Sequence, residues 1–152
     1  MKSHIDKPAT LLILAICGLG GMLYGVDIGV IDPALPYLNR TVELAESELS
    51  AVVAAVLAGS ILGSVAAGIM ADLIGRRRMM IGSAVLFVLS VGLIFLSRSF
   101  LPLLAGRLLQ GTSGGVIAVV APLYLAETLP AHLRGRGTAL FQFMLTLGIV
   151  LA

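Results

Sequence analysis

Long apolar stretches alternate with short polar ones along the chain. A helix needs about 20 apolar residues to cross the roughly 30 Å hydrocarbon core of a bilayer, and four stretches reach that length while a fifth stays shorter. Because lipid offers the backbone no hydrogen-bond partners, each stretch is predicted to be a helix. The predicted helices cover residues 9–38, 50–74, 79–97, 101–129 and 137–152. We therefore expect an all-α membrane protein with four complete transmembrane helices and a truncated fifth.

The basic residues of the polar connections predict how these helices are oriented. Seven lie on one side of the membrane and two, Arg40 and Arg98, on the other. Positively charged connections stay in the cytoplasm, so residues 1–8 are predicted to be a cytoplasmic tail before a transmembrane bundle at 9–152. The protein is thus expected in the cell (inner) membrane as a multi-pass protein with a cytoplasmic N-terminus. The seven residues are Lys2, Lys7, Arg76, Arg77, Arg78, Arg134 and Arg136.

Composition supports the membrane assignment and disfavours several other classes of protein. Apolar residues make up 59% of the chain and charged residues 12%, about half the ~25% of an ordinary soluble domain. Because the arginines lie mainly in the connections, the net charge of +2 indicates topology and no nucleic-acid partner. Cys17 is the only cysteine, and His4 and His132 lie far apart, so neither a metal site nor a cofactor is expected. The sequence shows no pairing of a nucleophile with a base, so an enzyme is not expected.

Small residues recur every four positions in three of the predicted helices. Such spacing lets two helices approach closely. The second helix carries two small faces, so we expect it to contact two neighbours. The ladders are Gly21, Gly25 and Gly29; Gly59, Gly63, Ala67 and Ala71; Ser60, Ser64, Gly68 and Asp72; and Gly111 with Gly115. Ordinary helix packing accounts for these ladders without a further function.

Two charged residues, Asp27 and Arg107, lie inside predicted helices at membrane depth. An unpaired carboxylate there is costly or takes up a proton. Arg107 is the nearest candidate partner, because the two residues differ by about 7 Å in depth at ~1.5 Å per helical residue. Two interpretations stay open. A static ion pair would fix the helix packing, whereas a proton switch would release Arg107 when Asp27 is protonated and change how the two helices pack.

Further polar residues lie at the ends of the predicted helices or inside them. Asp32, beside a proline, is predicted to be a solvated carboxylate near the outer surface. Asp72 and Glu127 lie near the cytoplasmic arginines, and they either anchor helices at the headgroups or form salt bridges between helices that break in another conformation. Tyr24 and Gln142 could form hydrogen bonds with a polar ligand in a cavity between the helices. Ordinary packing and interhelical hydrogen bonding are the alternatives for these two.

Three segments resemble transporters of the major facilitator superfamily. Residues 68–77, Gly-Ile-Met-Ala-Asp-Leu-Ile-Gly-Arg-Arg, are similar to the loop between its second and third helices, G-x-x-x-D-[RK]-x-G-[RK]-[RK], with Leu73 at the first basic position. Residues 107–135, from Arg-Leu-Leu-Gln-Gly through Ala-Pro-Leu-Tyr-Leu-Ala-Glu to Arg-Gly, look like the signature of its sugar porter family. Residues 20–31 are similar to the opening of bacterial proton-coupled sugar symporters.

The resemblance implies roles for individual residues. Asp27 would be the proton-coupling acid paired with Arg107, and Tyr24 and Gln142 would face the sugar. A cytoplasmic gate of salt bridges would comprise Asp72, Arg76, Arg77, Glu127 and Arg134. The chain would then be part of the N-terminal six-helix half of a twelve-helix transporter whose halves rock around a central site. Its partners would be a monosaccharide, protons, the lipid bilayer and the missing C-terminal helices.

Two other functions are compatible with parts of the sequence. A natural product of 152 residues would be a small four-helix membrane protein that dimerises through its small-residue ladders or serves as a non-transporting subunit. A transporter of another specificity, such as a drug antiporter, is the third candidate, and the segment 107–135 disfavours it.

Overall fold

A computed structural model describes residues 7–42 and 44–152, with side chains described for residues 8, 10–30 and 44–152. Within this part of the chain, five helices follow one another. They are α1 Lys7–Val42, α2 Glu46–Ile74, α3 Arg76–Leu96, α4 Phe100–Thr128 and α5 Ala131–Leu151. Four of the described segments are long and apolar enough to cross a membrane, namely Thr10–Val30, Glu46–Ile74, Arg76–Leu96 and Phe100–Thr128. The predicted all-helical membrane fold is confirmed.

The start of α5 differs from its predicted position. The helix begins at Ala131 and not at Gly137, because the carbonyl oxygen of Pro130 accepts the N–H groups of Leu133 and Arg134 at 2.8 and 3.2 Å and starts the first turn. A proline is well tolerated at the start of a helix, where its missing N–H would have no partner inside the helix. Apolar length locates a membrane crossing but does not detect polar turns that extend the helix beyond it.

α2 also begins earlier than predicted, at Glu46 and not at residue 50. The carboxylate of Glu48 accepts the backbone N–H of Ala45 at 3.0 Å, which satisfies a donor that a helix start otherwise leaves unpaired. An acidic side chain in the first turn also lies at the positive end of the helix dipole. The two glutamates that the apolar pattern assigns to a connection therefore form the first turn of the helix.

α1 runs to Val42, through Pro33 and Pro36, and ends four residues past its predicted end (42 against 38). Each proline removes one backbone hydrogen bond, which the remaining turns of this 36-residue helix accommodate. The side chain of Asp32 and residues 1–6 of the predicted tail lie outside the described residues.

Contacts group the chain into two compact units, Met1–Gly29 with Ala121–Ala152, and Val30–Val120. In the second unit, α2 and α4 run side by side in the same direction. Glycines of each helix lie against backbone carbonyl groups of the other, so that a methyl group at any of four positions would overlap an oxygen atom. The four pairs are Gly59 with Leu108, Gly63 with Thr112, Gly111 with Val56, and Gly115 with Ser60. The ladders of the two helices thus form one closely packed interface.

Part of the second small face of α2 also lies against α4. The hydroxyl of Ser64 donates to the carbonyl of Gly115 at 3.3 Å, so this face begins on the same neighbour, α4. A methyl group on Gly68 would meet nothing within 4 Å. The contact with α3 is made by other residues, since Met79 and Met80 pack on a cluster from α2 and α4. That cluster comprises Ala67, Ala71, Val116 and Val120.

α3 packs on α4 through serines spaced seven residues apart. Ser83 and Ser90 are buried, and each hydroxyl donates to a carbonyl three residues earlier in its own helix, at 2.9 and 2.7 Å. From α4, the hydroxyl of Ser113 donates to the carbonyl of Ser83 at 3.0 Å. A methyl group on Gly106 would lie 2.7 Å from the side chain of Ile94. Because the hydroxyls find partners, small polar residues can occupy this buried interface.

In the first unit, α1 and α5 also run side by side in the same direction. Here too, glycines face backbone carbonyl groups, and the residue numbers rise together along both helices. The pairs are Gly21 with Phe141, Gly25 with Leu145, Gly29 with Ile149, and Gly148 with Met22. Each unit therefore contains one pair of parallel helices held together by glycines.

Candidate functional site

Arg107 and Gln110 form a buried polar pair on α4. Their side chains are 8% and 6% exposed, and Nη1 of Arg107 donates to Oε1 of Gln110 at 3.2 Å. Residues three apart lie on the same face of a helix, so the spacing in the sequence was the signal for this bond. Sequence reasoning identified the arginine but assigned no role to the glutamine.

Packing fixes this part of α4 from two sides. Gly106, which precedes Arg107, lies against Ile94 of α3, and Gly111, which follows Gln110, lies against a carbonyl of α2. The backbone that carries the pair therefore cannot shift without displacing two neighbouring helices. Ionisable residues inside membrane helices are costly and usually functional, and this one lies on a rigid segment.

Asp27 and Tyr24 are half-buried and lie about one turn apart on α1. Between them, Gly25 packs against the carbonyl of Leu145 on α5, which holds this part of α1. Asp27 belongs to the first compact unit and Arg107 to the second, so their pairing stays a prediction. The candidate membrane span Thr10–Val30 includes Asp27.

Gln142 has an exposed side chain on α5. Its neighbour Phe141 is buried and packs against Gly21, so the two residues lie on different faces of the helix. The hydroxyl of Thr146 donates to the backbone carbonyl of Gln142 at 3.0 Å, and that bond does not involve the side-chain amide. The sugar-binding roles of Gln142 and Tyr24 stay predictions.

The turn between α2 and α3 is held by Arg76. One guanidinium nitrogen lies 2.6 Å from a carboxylate oxygen of Asp72, and the other donates to the carbonyl of Ala71 at 3.1 Å. Gly75 makes the turn with φ of 90°, a left-handed conformation that favours glycine. Arg77 is exposed. Of the predicted gate residues, the structure thus joins Asp72 and Arg76 across this turn.

Arg134 holds the turn between α4 and α5 in a related way. Its Nε donates to the carbonyl of Leu129 at 3.1 Å. Arg76 and Arg134 both bond a carbonyl five residues earlier, so each arginine in the first turn of one helix caps the end of the preceding helix. Glu127 is exposed near the end of α4. This capping role was missed because the salt-bridge interpretation paired the arginines with acids alone.

The described side chains offer a limited set of chemical functions. Asp27 can take up and release a proton, Arg107 carries a buried positive charge, and the amides and the phenol can donate and accept hydrogen bonds. Among the residues with described side chains, no group of three His, Cys, Asp or Glu residues could hold a metal ion.

Comparison with known proteins gives consistent matches. The family described as "Sugar (and other) transporter" matches residues 13–152. The glucose transporter GlcP of Staphylococcus epidermidis is 36% identical over 141 residues, which cover 93% of this chain and 32% of that protein. The galactose-proton symporter of Escherichia coli K12 is 32% identical over 149 residues, 98% of this chain and 32% of that protein.

Solved structures give the same result at the level of the fold. The inward-open xylose transporter XylE from E. coli superposes with a TM-score of 0.81 at 30% identity, over 93% of this chain and 38% of that one. XylE bound to 6-bromo-6-deoxy-D-glucose, described as a proton:xylose symporter, superposes with a TM-score of 0.82 at 28% identity, over 93% and 35% of the two chains. The chain spans about a third of the length of the curated relatives it matches.

Proposed function

The chain belongs to the sugar porter family of the major facilitator superfamily, and we propose that it is the N-terminal part of a sugar:proton symporter. The family consists of transporters. Similar proteins include symporters of galactose and of arabinose with protons. A monosaccharide is therefore the substrate class that we propose for the whole protein, with protons as the coupled ion.

The buried charge of Arg107 on α4 is the observation that carries this proposal. Its side chain is 8% exposed in a helix that is apolar enough to cross a membrane. A guanidinium that served only for packing would be costly to bury. In the proposed cycle, ionised Asp27 pairs with Arg107, and protonation of Asp27 weakens the pair and favours a different packing of the helices.

Sugar recognition and gating complete the proposed mechanism. Tyr24 and Gln142 contact the sugar through hydrogen bonds at the midplane. At the cytoplasmic ends of the helices, charged residues hold one conformation and separate in the other. This gate comprises Asp72, Arg76, Arg77, Glu127 and Arg134. The observed bond between Asp72 and Arg76 supports the part of the gate at the turn between α2 and α3.

We place the protein in the inner membrane with its N-terminus in the cytoplasm. Arg76, Arg77 and Arg78 lie at the start of α3, and Arg134 and Arg136 lie near the start of α5. The starts of α3 and α5 lie on the same side if each helix crosses the membrane once. The excess of arginine on that side supports a cytoplasmic location.

Glycine packing argues against the alternative of a small dimeric membrane protein. That alternative uses the small-residue ladders as a subunit interface, but Gly59, Gly63, Gly111 and Gly115 lie against helices of the same chain. The glycines of α1 are likewise occupied by α5. The ladders therefore support the internal packing of a larger helical bundle.

Asp27→Asn tests the proposed coupling. We expect the full-length protein carrying this change to lose accumulation of radiolabelled sugar under an imposed pH gradient, because an amide cannot take up the proton. Exchange of internal for external sugar should persist, since exchange requires no net proton movement. The measurement is uptake into energised membrane vesicles, with D-xylose, D-galactose, L-arabinose and D-glucose tested separately.

Asp27→Glu is the matched control, because it keeps an ionisable carboxyl group. It should retain pH-driven accumulation. Undiminished accumulation by the Asp27→Asn variant would exclude Asp27 as the coupling acid, and failure of the unmodified protein to transport any of the four sugars would contradict the proposed substrate class.

A further inference from the structure

Arg107 is held by a neutral partner on its own helix. The distance from Nη1 to Oε1 of Gln110 is 3.2 Å, and both side chains are buried. Only the oxygen of an amide accepts a hydrogen bond, so the oxygen of Gln110 faces the guanidinium. Because the donor is charged, this bond is stronger than one between two neutral groups.

A neutral acceptor, unlike a carboxylate, does not neutralise the positive charge of the arginine. The amide oxygen fixes the position of the guanidinium but does not neutralise its charge, so the charge still attracts an ionised acid elsewhere in the membrane. A carboxylate at the same position would form an ion pair with Arg107 and compete with that acid. The amide therefore positions the arginine, while a different group can act as its electrostatic partner.

The backbone beneath the pair is fixed as well. Gly106 and Gly111 lie against α3 and α2 on either side of Arg107 and Gln110, and Ser113 is bonded to Ser83 of α3. With the backbone held and the side chain bonded, the guanidinium has little freedom to swing when the charge of its partner changes.

We propose that Gln110 is a positioning residue for Arg107 in proton coupling, an inference that rests on the proposed function. It keeps the guanidinium in one place both when Asp27 is ionised and when it is protonated. A change of charge on Asp27 then alters the packing between helices. If the guanidinium were mobile, a rotation of its side chain would absorb the change, and protons and sugar would be less tightly coupled.

The test compares two activities of the full-length protein, accumulation of sugar under a pH gradient and exchange of sugar at equilibrium. Gln110→Met keeps the approximate length and volume of the side chain but removes the acceptor. We expect the ratio of accumulation to exchange to fall about tenfold, a size typical of coupled neighbouring groups. Exchange per folded molecule should stay within about twofold of the unmodified protein.

Ser113→Ala is the matched control on the same helix. It removes a buried hydrogen bond of 3.0 Å to α3 without changing the arginine's partner. We expect it to lower thermal stability while the ratio of accumulation to exchange stays unchanged. If Gln110→Met lowers accumulation and exchange equally, as a purely structural bond would require, the proposal is overturned.

Gln110→Glu keeps the test decisive if the methionine variant does not fold. A glutamate preserves the shape and the acceptor but adds a charge that pairs with Arg107, so the proposal expects a lower ratio of accumulation to exchange. A purely structural role predicts an unchanged ratio, which would overturn the proposal. If both Gln110 variants keep the unmodified ratio of accumulation to exchange while Asp27→Asn loses accumulation, this inference alone is refuted. If Asp27→Asn still accumulates sugar under a pH gradient, the proposed function is overturned and the inference with it.

Discussion

At the turn after α2, a single arginine bonds two different groups. Arg76 caps the carbonyl of Ala71 at 3.1 Å and lies 2.6 Å from Asp72. The Asp72 side chain is 71% exposed and that of Arg76 is 25% exposed. Solvent weakens exposed ion pairs, so the bond to the backbone carbonyl contributes more to stability than the salt bridge does.

Arg76→Ala should therefore destabilise this turn. We expect the free energy of unfolding to fall by about 1 kcal/mol, because a helix end loses a charged donor and the salt bridge adds little. Arg77→Ala is the control, since Arg77 is exposed, and its effect should stay within about 0.5 kcal/mol. Both free energies are measured by unfolding the full-length protein in dodecyl sulfate while circular dichroism records the loss of helix. Equal effects of the two variants would contradict the capping role.

At the scale of the helices, glycines decide which elements can approach one another. α2 with α4, and α1 with α5, are parallel pairs in which glycines lie against carbonyl groups of the partner. Close approach increases dispersion contacts between backbones, the main attraction between helices in lipid. The serines of α3 serve a similar purpose against α4, since their hydroxyls are satisfied within their own helix.

Gly63→Ala tests the interface of α2 with α4. The added methyl group would overlap the carbonyl of Thr112, so the helices must separate, and we expect a loss of about 1–3 kcal/mol in the free energy of unfolding. Gly92→Ala in α3 is the control, because its methyl group would meet nothing within 4 Å. That variant should be neutral or more stable by up to about 1 kcal/mol, since alanine favours helix. Comparable losses in both variants would show that the interface is not closely packed.

At the scale of the whole molecule, the chain forms two compact units and matches about a third of each relative. Transport by alternating access requires two halves that move around a central site. A chain of this length can therefore carry out such transport only as part of a longer transporter.

The length of the native polypeptide tests that proposal. We expect intact-mass measurement on the protein from its own membranes to give a product about three times as long as this chain, as the 32% coverage of relatives suggests. The sugar site would then include residues of the remaining helices. A native product of 152 residues would instead favour a small membrane protein without autonomous transport.

The membrane class, the four spans and the sugar porter family could all be predicted from the amino-acid sequence. Crossing a bilayer depends on the apolar content of each segment, which is a local property that adds up along the chain. The short motifs around Asp72 and Arg107 identified the family because their residues lie close together in the sequence. The same local reasoning failed at the start of α5, where polar residues extend the helix beyond its apolar part.

The pairing of the helices and the hydrogen bonds of the charged groups could be read from the folded chain alone. The choice of α4 as the partner of the glycines on α2 depends on the fit of two surfaces, and a four-residue spacing in one helix does not specify the other helix. The bond from Arg107 to Gln110 and the caps made by Arg76 and Arg134 join residues three or five apart in the sequence, but their formation depends on side-chain rotamers and on nearby carbonyl groups. Those rotamers are selected by packing, which brings together residues distant in the sequence.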